Sequence, residues 1–145
     1  MWETVAHAVR QGARYAAVHG VDCAKAPNSC PVTVGQIAQE IKNAGVGLDA
    51  DQLQVTISIV LGGTYPGTVV VGDGPQTLTN LLADMQAFSA WQAGGADAAV
   101  VTNDVIVVAK LPFSSGLAMF WPGAGAPVSF SVVNLSANSR ERILF

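Results

Sequence analysis

Residues 53–61 carry the clearest pattern in the chain, an alternation of apolar and polar side chains. The apolar positions are Leu53, Val55, Ile57, Ile59 and Leu61, with Gln54, Thr56 and Ser58 between them. Successive side chains of a strand point to opposite faces, so a period of two predicts a strand with one buried face. We therefore expect a sheet that buries these leucine, valine and isoleucine side chains.

A helical period marks the beginning of the chain. Over residues 2–19, apolar side chains recur at spacings of three and four, and polar side chains occupy the other faces; the apolar positions include Trp2, Val5, Val9, Ala13 and Ala16. This spacing predicts an amphipathic helix that ends near Gly20. We expect the face of Val5, Val9, Ala13 and Ala16 to pack on the sheet that contains Val55, Ile57 and Ile59.

Two further helices are indicated. Thr33 and Gln36 have the spacing of a capping box, which predicts a helix that runs to about Ala44 and stops at Gly45. A proline suits the first turn of a helix, so Pro75 predicts the start of a third helix that ends at residues 94–95. Its apolar stripe would be Leu78, Leu81, Leu82, Met85, Phe88 and Trp91.

The remaining segments read as strands and loops. We expect a loop over residues 21–31, a short strand over 68–71, and a hairpin of residues 98–102 and 105–110 that turns at Asn103 and Asp104. Residues 111–127 are irregular, and a long strand closes the chain from 128 to 145. There is no internal repeat and no linker, so the sequence predicts one domain, residues 1–145, of the α+β class: an N-terminal helix on a mostly antiparallel sheet, pilin-like, with one or two further helices.

The composition narrows the class of function. Half of the residues are hydrophobic and 12% are charged, against about a quarter charged in typical domains. This surplus suggests that part of the surface contacts something other than water. The net charge is −3 with seven lysine and arginine residues in all, which does not predict a nucleic-acid partner. No run of about 18 apolar residues is present.

Catalytic and metal-binding patterns are weak. His7 and His19 are twelve residues apart, which is about 18 Å along one helix, so they cannot share a proton or a metal ion. Asp49 and Asp51 lack the terminal glutamate of a calcium loop. We therefore predict a protein that is not an enzyme and has no cofactor and no metal.

Two cysteines, Cys23 and Cys30, lie close together after the first helix. Such a pair fits a disulfide in an oxidising compartment, and we predict that bond. Two alternatives remain open, a pair of free thiols and a zinc site with His19, although a fourth ligand is not apparent.

The segment Gly12-Ala13-Arg14-Tyr15-Ala16-Ala17 resembles the "AREGARYAA" motif that follows the membrane helix in TadE-like and TadG-like proteins, with Gln11 in place of the usual glutamate. The order of later features is also similar: a cysteine loop, a short helix, a Gly-x-Gly-Leu-Asp turn and an alternating strand. Leu111-Pro112-Phe113 resembles the family's "YPF", and residues 135–140 resemble its closing "LSATSR" strand. The resemblance covers roughly residues 5–60 and 104–143.

The resemblance implies a minor pseudopilin-like subunit that assists assembly of tight-adherence, type IV-like pili. Residues 1–20 would be the end of a longer N-terminal helix, whose missing part anchors the chain in the bacterial inner membrane with the domain in the periplasm, or outside the cell in a pilus. Its partners would be other pilin or pseudopilin subunits and assembly proteins. Residues 62–103 would be an insertion.

The alternative is an extracytoplasmic binding module or adhesin. It would use the inserted helix and an aromatic loop with Phe113, Phe120 and Trp121 to contact a partner. An upstream membrane helix would favour the pseudopilin, and a cleavable signal peptide would favour the adhesin.

Overall fold

The computed structural model describes residues 2–24, 30, 32–61, 67–93, 96–101, 103–113 and 133–144. It has the predicted α+β architecture, in which an N-terminal helix packs on a four-stranded antiparallel sheet. The helices are α1 (Trp2–Ala17), α2 (Val21–Ala24), α3 (Val34–Ala44) and α4 (Leu78–Leu82), with a 3₁₀ turn at Phe88–Ala90. The strands are β1 (Gln54–Leu61), β2 (Gly67–Thr77), β3 (Gln92–Ala93), β4 (Ala96–Asp97), β5 (Asp104–Phe113) and β6 (Val133–Arg142).

The main sheet has the strand order β2-β1-β5-β6, and all neighbours are antiparallel. The prediction for residues 53–61 is confirmed, because alternate side chains of β1 are fully buried, and those of β5 follow the same pattern. The buried positions of these two central strands include Val55, Ile57, Ile59, Val105, Val107 and Ala109. One face of the sheet therefore forms the core, and among the described strands β2 and β6 are its edges.

Helix α1 covers the buried face of the sheet and packs mainly against β5, β6 and α3. Its inner side is made of small residues and valines, all buried: Val5, Ala8, Val9, Gly12, Ala13, Ala16 and Ala17. The predicted face is confirmed, although its nearest strands are β5 and β6. An isolated helix of this length is marginal in water, so burial of this face stabilises it.

Helix α3 begins with the predicted capping box. The Gln36 amide donates to Thr33 Oγ1 over 3.2 Å, and the Thr33 amide donates to Gln36 Oε1 over 2.8 Å. These two bonds satisfy donors that have no partner inside the helix.

The prediction of a long third helix from Pro75 to residues 94–95 is wrong. Helix α4 comprises only Leu78–Leu82, because the chain beyond it bonds to the first turn of α3. The Gly35 amide donates to the Asp84 carbonyl over 2.8 Å, and the Val34 amide donates to the Gln86 carbonyl over 2.9 Å. The amides in the first turn of α3 have no acceptor inside their own helix, and these two carbonyls supply one for each. The segment after α4 is therefore extended, although the spacing of its apolar residues predicted a helix.

Pro75 lies in β2, not in a helix, and the strand predicted over residues 68–71 extends to Thr77. The register explains the difference: Ile57 pairs with Val71 and Val55 with Gln76, so four residues of β2 face one residue of β1. Proline is tolerated there because β2 is an edge strand and the ladder is interrupted by this bulge.

The predicted hairpin around Asn103 and Asp104 is also wrong. Residues 98–100 form a bend and residue 101 a turn, and Asp104 begins β5, which pairs with β1 and β6. Buried Asn103 donates from Nδ2 to the Ala98 carbonyl over 2.6 Å, which fixes the bend instead of a hairpin turn. The loop predicted at residue 21 begins with α2, and the described closing strand spans Val133–Arg142.

Candidate functional site

The motif Gly12–Ala17 lies where α1 closely approaches α3. A methyl group added to Gly12 would lie 2.4 Å from Ile41 Cγ1 on α3, closer than any real carbon–carbon contact. Ala13, Ala16 and Ala17 are buried with it. The absence of a larger side chain at Gly12 thus allows α1 and α3 to approach closely, and the motif acts first as a packing element.

The two polar members of the motif point elsewhere. The Arg14 side chain is exposed, and its Nε lies 3.8 Å from Glu141 Oε1 on β6. Tyr15 is half-buried, and its ring centroid lies 4.3 Å from that of His19. His19 Nδ1 lies 2.6 Å from the Tyr15 carbonyl oxygen, to which it donates when it carries the proton. The Tyr15–His19 contact therefore lies at the C-terminal end of α1.

The motif and the closing strand contact each other directly. The Leu144 amide, just after β6, donates to the Ala17 carbonyl over 2.8 Å. At the other end of the helix, Trp2 Nε1 lies 3.4 Å from the Ser136 carbonyl oxygen. Helix α1 therefore runs beside β6 along the strand's length, and a shallow cavity of about 380 Å³ lies between Arg14, Ala17 and Leu144 where the two elements end.

A charged cluster lies on the opposite face of the sheet. Asp104 at the start of β5 receives two hydrogen bonds from β6: Arg140 Nε donates to Oδ2 over 2.7 Å, and Arg142 Nε donates to Oδ1 over 3.2 Å. The hydrogen bond from Arg140 holds the pKa of Asp104 below its ordinary value; burial opposes this shift, and Arg142 adds to it. The Asp104 side chain is only 14% exposed, which identifies a fixed ion-pair site.

Cys23 and Cys30 form a disulfide, as predicted, with their Cα atoms 5.3 Å apart. This bond removes both sulfurs from the alternative zinc site with His19. Among the described residues, no group of three or more His, Cys, Asp or Glu side chains could hold a metal ion. His7 is exposed on α1, far from His19.

The predicted aromatic contact loop is largely not described. Phe120 and Trp121 lie outside the described residues, and Phe113 is the last residue of β5. Within the predicted insertion 62–103, Leu78, Leu81 and Phe88 are buried in the core, and Met85 is 80% exposed. Strand β2 of this segment belongs to the main sheet. Its status as an insertion stays a prediction.

No family model, curated protein or solved structure matches this chain. No described helix is both long and apolar enough to cross a bilayer.

The Asp104 cluster is the feature that the sequence did not lead us to predict. The sequence does contain an indication of this cluster: Arg140 and Arg142 are two residues apart, so in a strand they share one face. The predicted turn at Asn103 and Asp104 concealed it, because Asp104 was assigned to a loop. Once Asp104 begins β5, antiparallel pairing places it opposite Arg142.

Proposed function

We propose that this chain is the folded extracytoplasmic part of a minor pseudopilin-like subunit of the TadE/TadG type. It assists assembly of tight-adherence pili and performs no catalysis of its own. In this proposal an upstream helix continues α1 into the inner membrane, and the domain lies in the periplasm or in the pilus.

The observation that best supports the proposal is the contact between α1 and β6. The two most specific parts of the family resemblance, residues 12–17 and 135–140, belong to these elements, which lie side by side from Trp2–Ser136 to Ala17–Leu144. Residues that are far apart in sequence thus form one structural unit. A shared packing requirement would explain why both segments carry family-like motifs.

The two sides of α1 suit the role of a subunit in an assembly. The small residues of the motif hold the helix against α3 and the sheet, whereas the other side carries a polar stripe of Glu3, His7, Arg10 and Arg14, all exposed. Trp2 at the start of the helix is 56% exposed. The stripe is therefore free to contact the helices of neighbouring subunits.

Site-specific photocrosslinking in the native bacterium tests the proposal. A photoreactive amino acid replaces Arg10, in the middle of the polar stripe, in the full-length gene product at native expression. We expect crosslinks to pilin-like subunits or pilus-assembly proteins, in the membrane or pilus fraction. The matched control places the same amino acid at Lys42, which is exposed on α3, and should give fewer of these crosslinks.

Two results would contradict the proposal. One is recovery of the native protein from the cytoplasm, and the other is normal pilus formation after deletion of the gene. The adhesin alternative stays a hypothesis, and crosslinks to host or matrix molecules instead of pilus components would favour it.

A further inference from the structure

Strand β6 is an edge of the main sheet within the part of the chain that the structure describes, and its backbone shows which groups face outward. The Ile143 amide donates to the Asn103 carbonyl over 3.0 Å, which continues the ladder with β5. Backbone groups of a strand alternate in direction. Odd-numbered residues of β6 therefore bond to β5, and even-numbered residues turn their amide and carbonyl groups toward the open edge.

Among the described residues, helix α1 forms hydrogen bonds with this edge only at its two ends. The Leu144 amide is bonded to Ala17, and the Ser136 carbonyl lies near the Trp2 indole. Between these points, the backbone groups of Asn138, Arg140 and Arg142 form no hydrogen bond with any described residue. All ten pairs between β5 and β6 are in continuous register, so no bulge twists this edge away, and 136–139 contain no charge and no proline.

Such a row of free donors and acceptors is a template for an added strand. We propose that the open edge of β6, from Asn138 to Arg142, binds an extended peptide strand with acidic side chains at alternate positions. This binding surface is the row of outward-facing backbone groups of β6. The proposal therefore does not depend on the chain being a pilus subunit.

The charge of the sheet face beside this edge argues for acidic side chains. On the face opposite α1, β5 and β6 present Lys110, Arg140 and Arg142 against the single carboxylate of Asp104. This face is cationic although the whole chain has a net charge of −3. Side chains of an added strand would lie about 5 Å from those of β6, so alternate glutamates or aspartates would face Arg140 and Arg142.

A second copy of β6 is a poorer partner. In a twofold antiparallel pairing centred on Asn138, Arg140 and Arg142 would face Ser136 and Asn134. Pairing centred nearer the end of the strand would place arginine against arginine. Neither register supplies an acidic side chain, since Glu141 lies on the face toward α1, where it approaches Arg14.

Hydrogen exchange measured by NMR tests the state of the edge in the free protein. We expect the amides of Asn138 and Arg140 to exchange quickly and those of Ala137 and Ser139 to be protected by the ladder. Protection of all four amides would mean that the edge is already paired within the chain, which would overturn the proposal.

Titration with synthetic peptides then tests the partner's chemistry. The probe is a peptide of about nine residues that alternates threonine and glutamate, and its control alternates threonine and lysine. We expect the acidic peptide alone to shift β6 resonances and to slow exchange of the Asn138 and Arg140 amides at least about tenfold. No binding, equal binding of both peptides, or shifts confined to other elements would refute it. Self-association that protects the same amides would assign the edge to a second copy instead.

Three variants connect binding to the edge. Asn138→Pro removes an amide that points to the open edge, so it should abolish peptide binding while the fold is retained. Ser139→Pro instead removes a backbone hydrogen bond to β5, so it should lower the melting temperature. The double variant Arg140→Gln and Arg142→Gln keeps the backbone edge and should weaken binding of the acidic peptide about tenfold or more. Unchanged affinity in Asn138→Pro or in the double glutamine variant would overturn the assignment.

Discussion

The close approach of α1 and α3 at Gly12 can be measured with a double-mutant cycle. An alanine methyl at this position would lie 2.4 Å from Ile41 Cγ1 and 2.9 Å from Ile41 Cδ1, and Ile41 is fully buried. Either the isoleucine must leave its rotamer or the helices must separate. Such overpacking costs about 1–3 kcal/mol, and the helix propensity of alanine offsets about 1 kcal/mol. Gly12→Ala alone should therefore lower the free energy of unfolding by about 0–2 kcal/mol.

The second change is Ile41→Ala, which removes both clashing atoms. On its own, Ile41→Ala leaves a cavity and should lower the free energy of unfolding by about 2–5 kcal/mol. In the double variant the new methyl at Gly12 fills part of that cavity and meets no obstacle. The double variant should consequently be more stable than the sum of the single changes by about 1–3 kcal/mol.

Urea unfolding followed by circular dichroism gives all four free energies by linear extrapolation, with the disulfide kept oxidised. The control cycle combines Gly12→Ala with Leu81→Ala on α4, another buried residue, and should be additive within about 0.5 kcal/mol. Additivity in the Gly12–Ile41 cycle would refute the reasoning, because it would show that Gly12 does not set the separation of α1 and α3.

Three further predictions concern α1, Asp104 and the disulfide. Val9→Asp should lower the free energy of unfolding by at least about 3 kcal/mol because it buries a charge without a partner. Arg10→Asp, on the exposed side of α1, should lower it by about 0.5 kcal/mol or less. Equal melting temperatures for the two variants would contradict the placement of α1. Because the pKa of Asp104 is lowered in the folded state, its contribution is present above the unfolded pKa near 3.9 and is lost as pH falls through the folded value. Asp104→Asn should thus be less stable than the native chain by up to about 1 kcal/mol at about pH 7. In urea titrations this difference should shrink as the pH falls through the lowered pKa of Asp104; a pH-independent difference would count against the ion-pair site. Reduction of Cys23–Cys30 should lower the free energy of unfolding by about 2.5 kcal/mol on the chain-entropy model, and intact mass after alkylation without reductant should show no free thiol.

The sequence correctly predicted those helices and strands that are determined by residues close together in the chain. The alternation in β1 and the capping box of α3 each depend on a few neighbouring residues, and both are confirmed. The buried side of α1 followed from its spacing, but the identity of its neighbours β5 and β6 could not, because nothing in residues 2–19 specifies which strands lie beneath.

The errors occur where a distant group competes with a local preference. The helical spacing from Leu78 to Trp91 is real, yet the amides of Val34 and Gly35 recruit the carbonyls of Gln86 and Asp84. A methyl group on Gly35 would lie 2.7 Å from the Leu82 carbonyl oxygen, so this arrangement depends on a glycine more than forty residues earlier. For the candidate site, only the fold shows that Ile41 is the residue packed closely against Gly12 of the motif.

The contact between α1 and β6 joins two segments that are more than a hundred residues apart in sequence, and this has a consequence for biogenesis. Helix α1 cannot complete its packing until β6 has been synthesised, because Trp2 meets Ser136 across 134 residues. Closing so long a loop is entropically unfavourable and slows folding. Until β6 arrives, the apolar side of α1 and the unpaired edge of β5 are both accessible to chaperones and proteases. A premature stop before Val133 should therefore give a product that is degraded as a whole, and not a domain that lacks one strand.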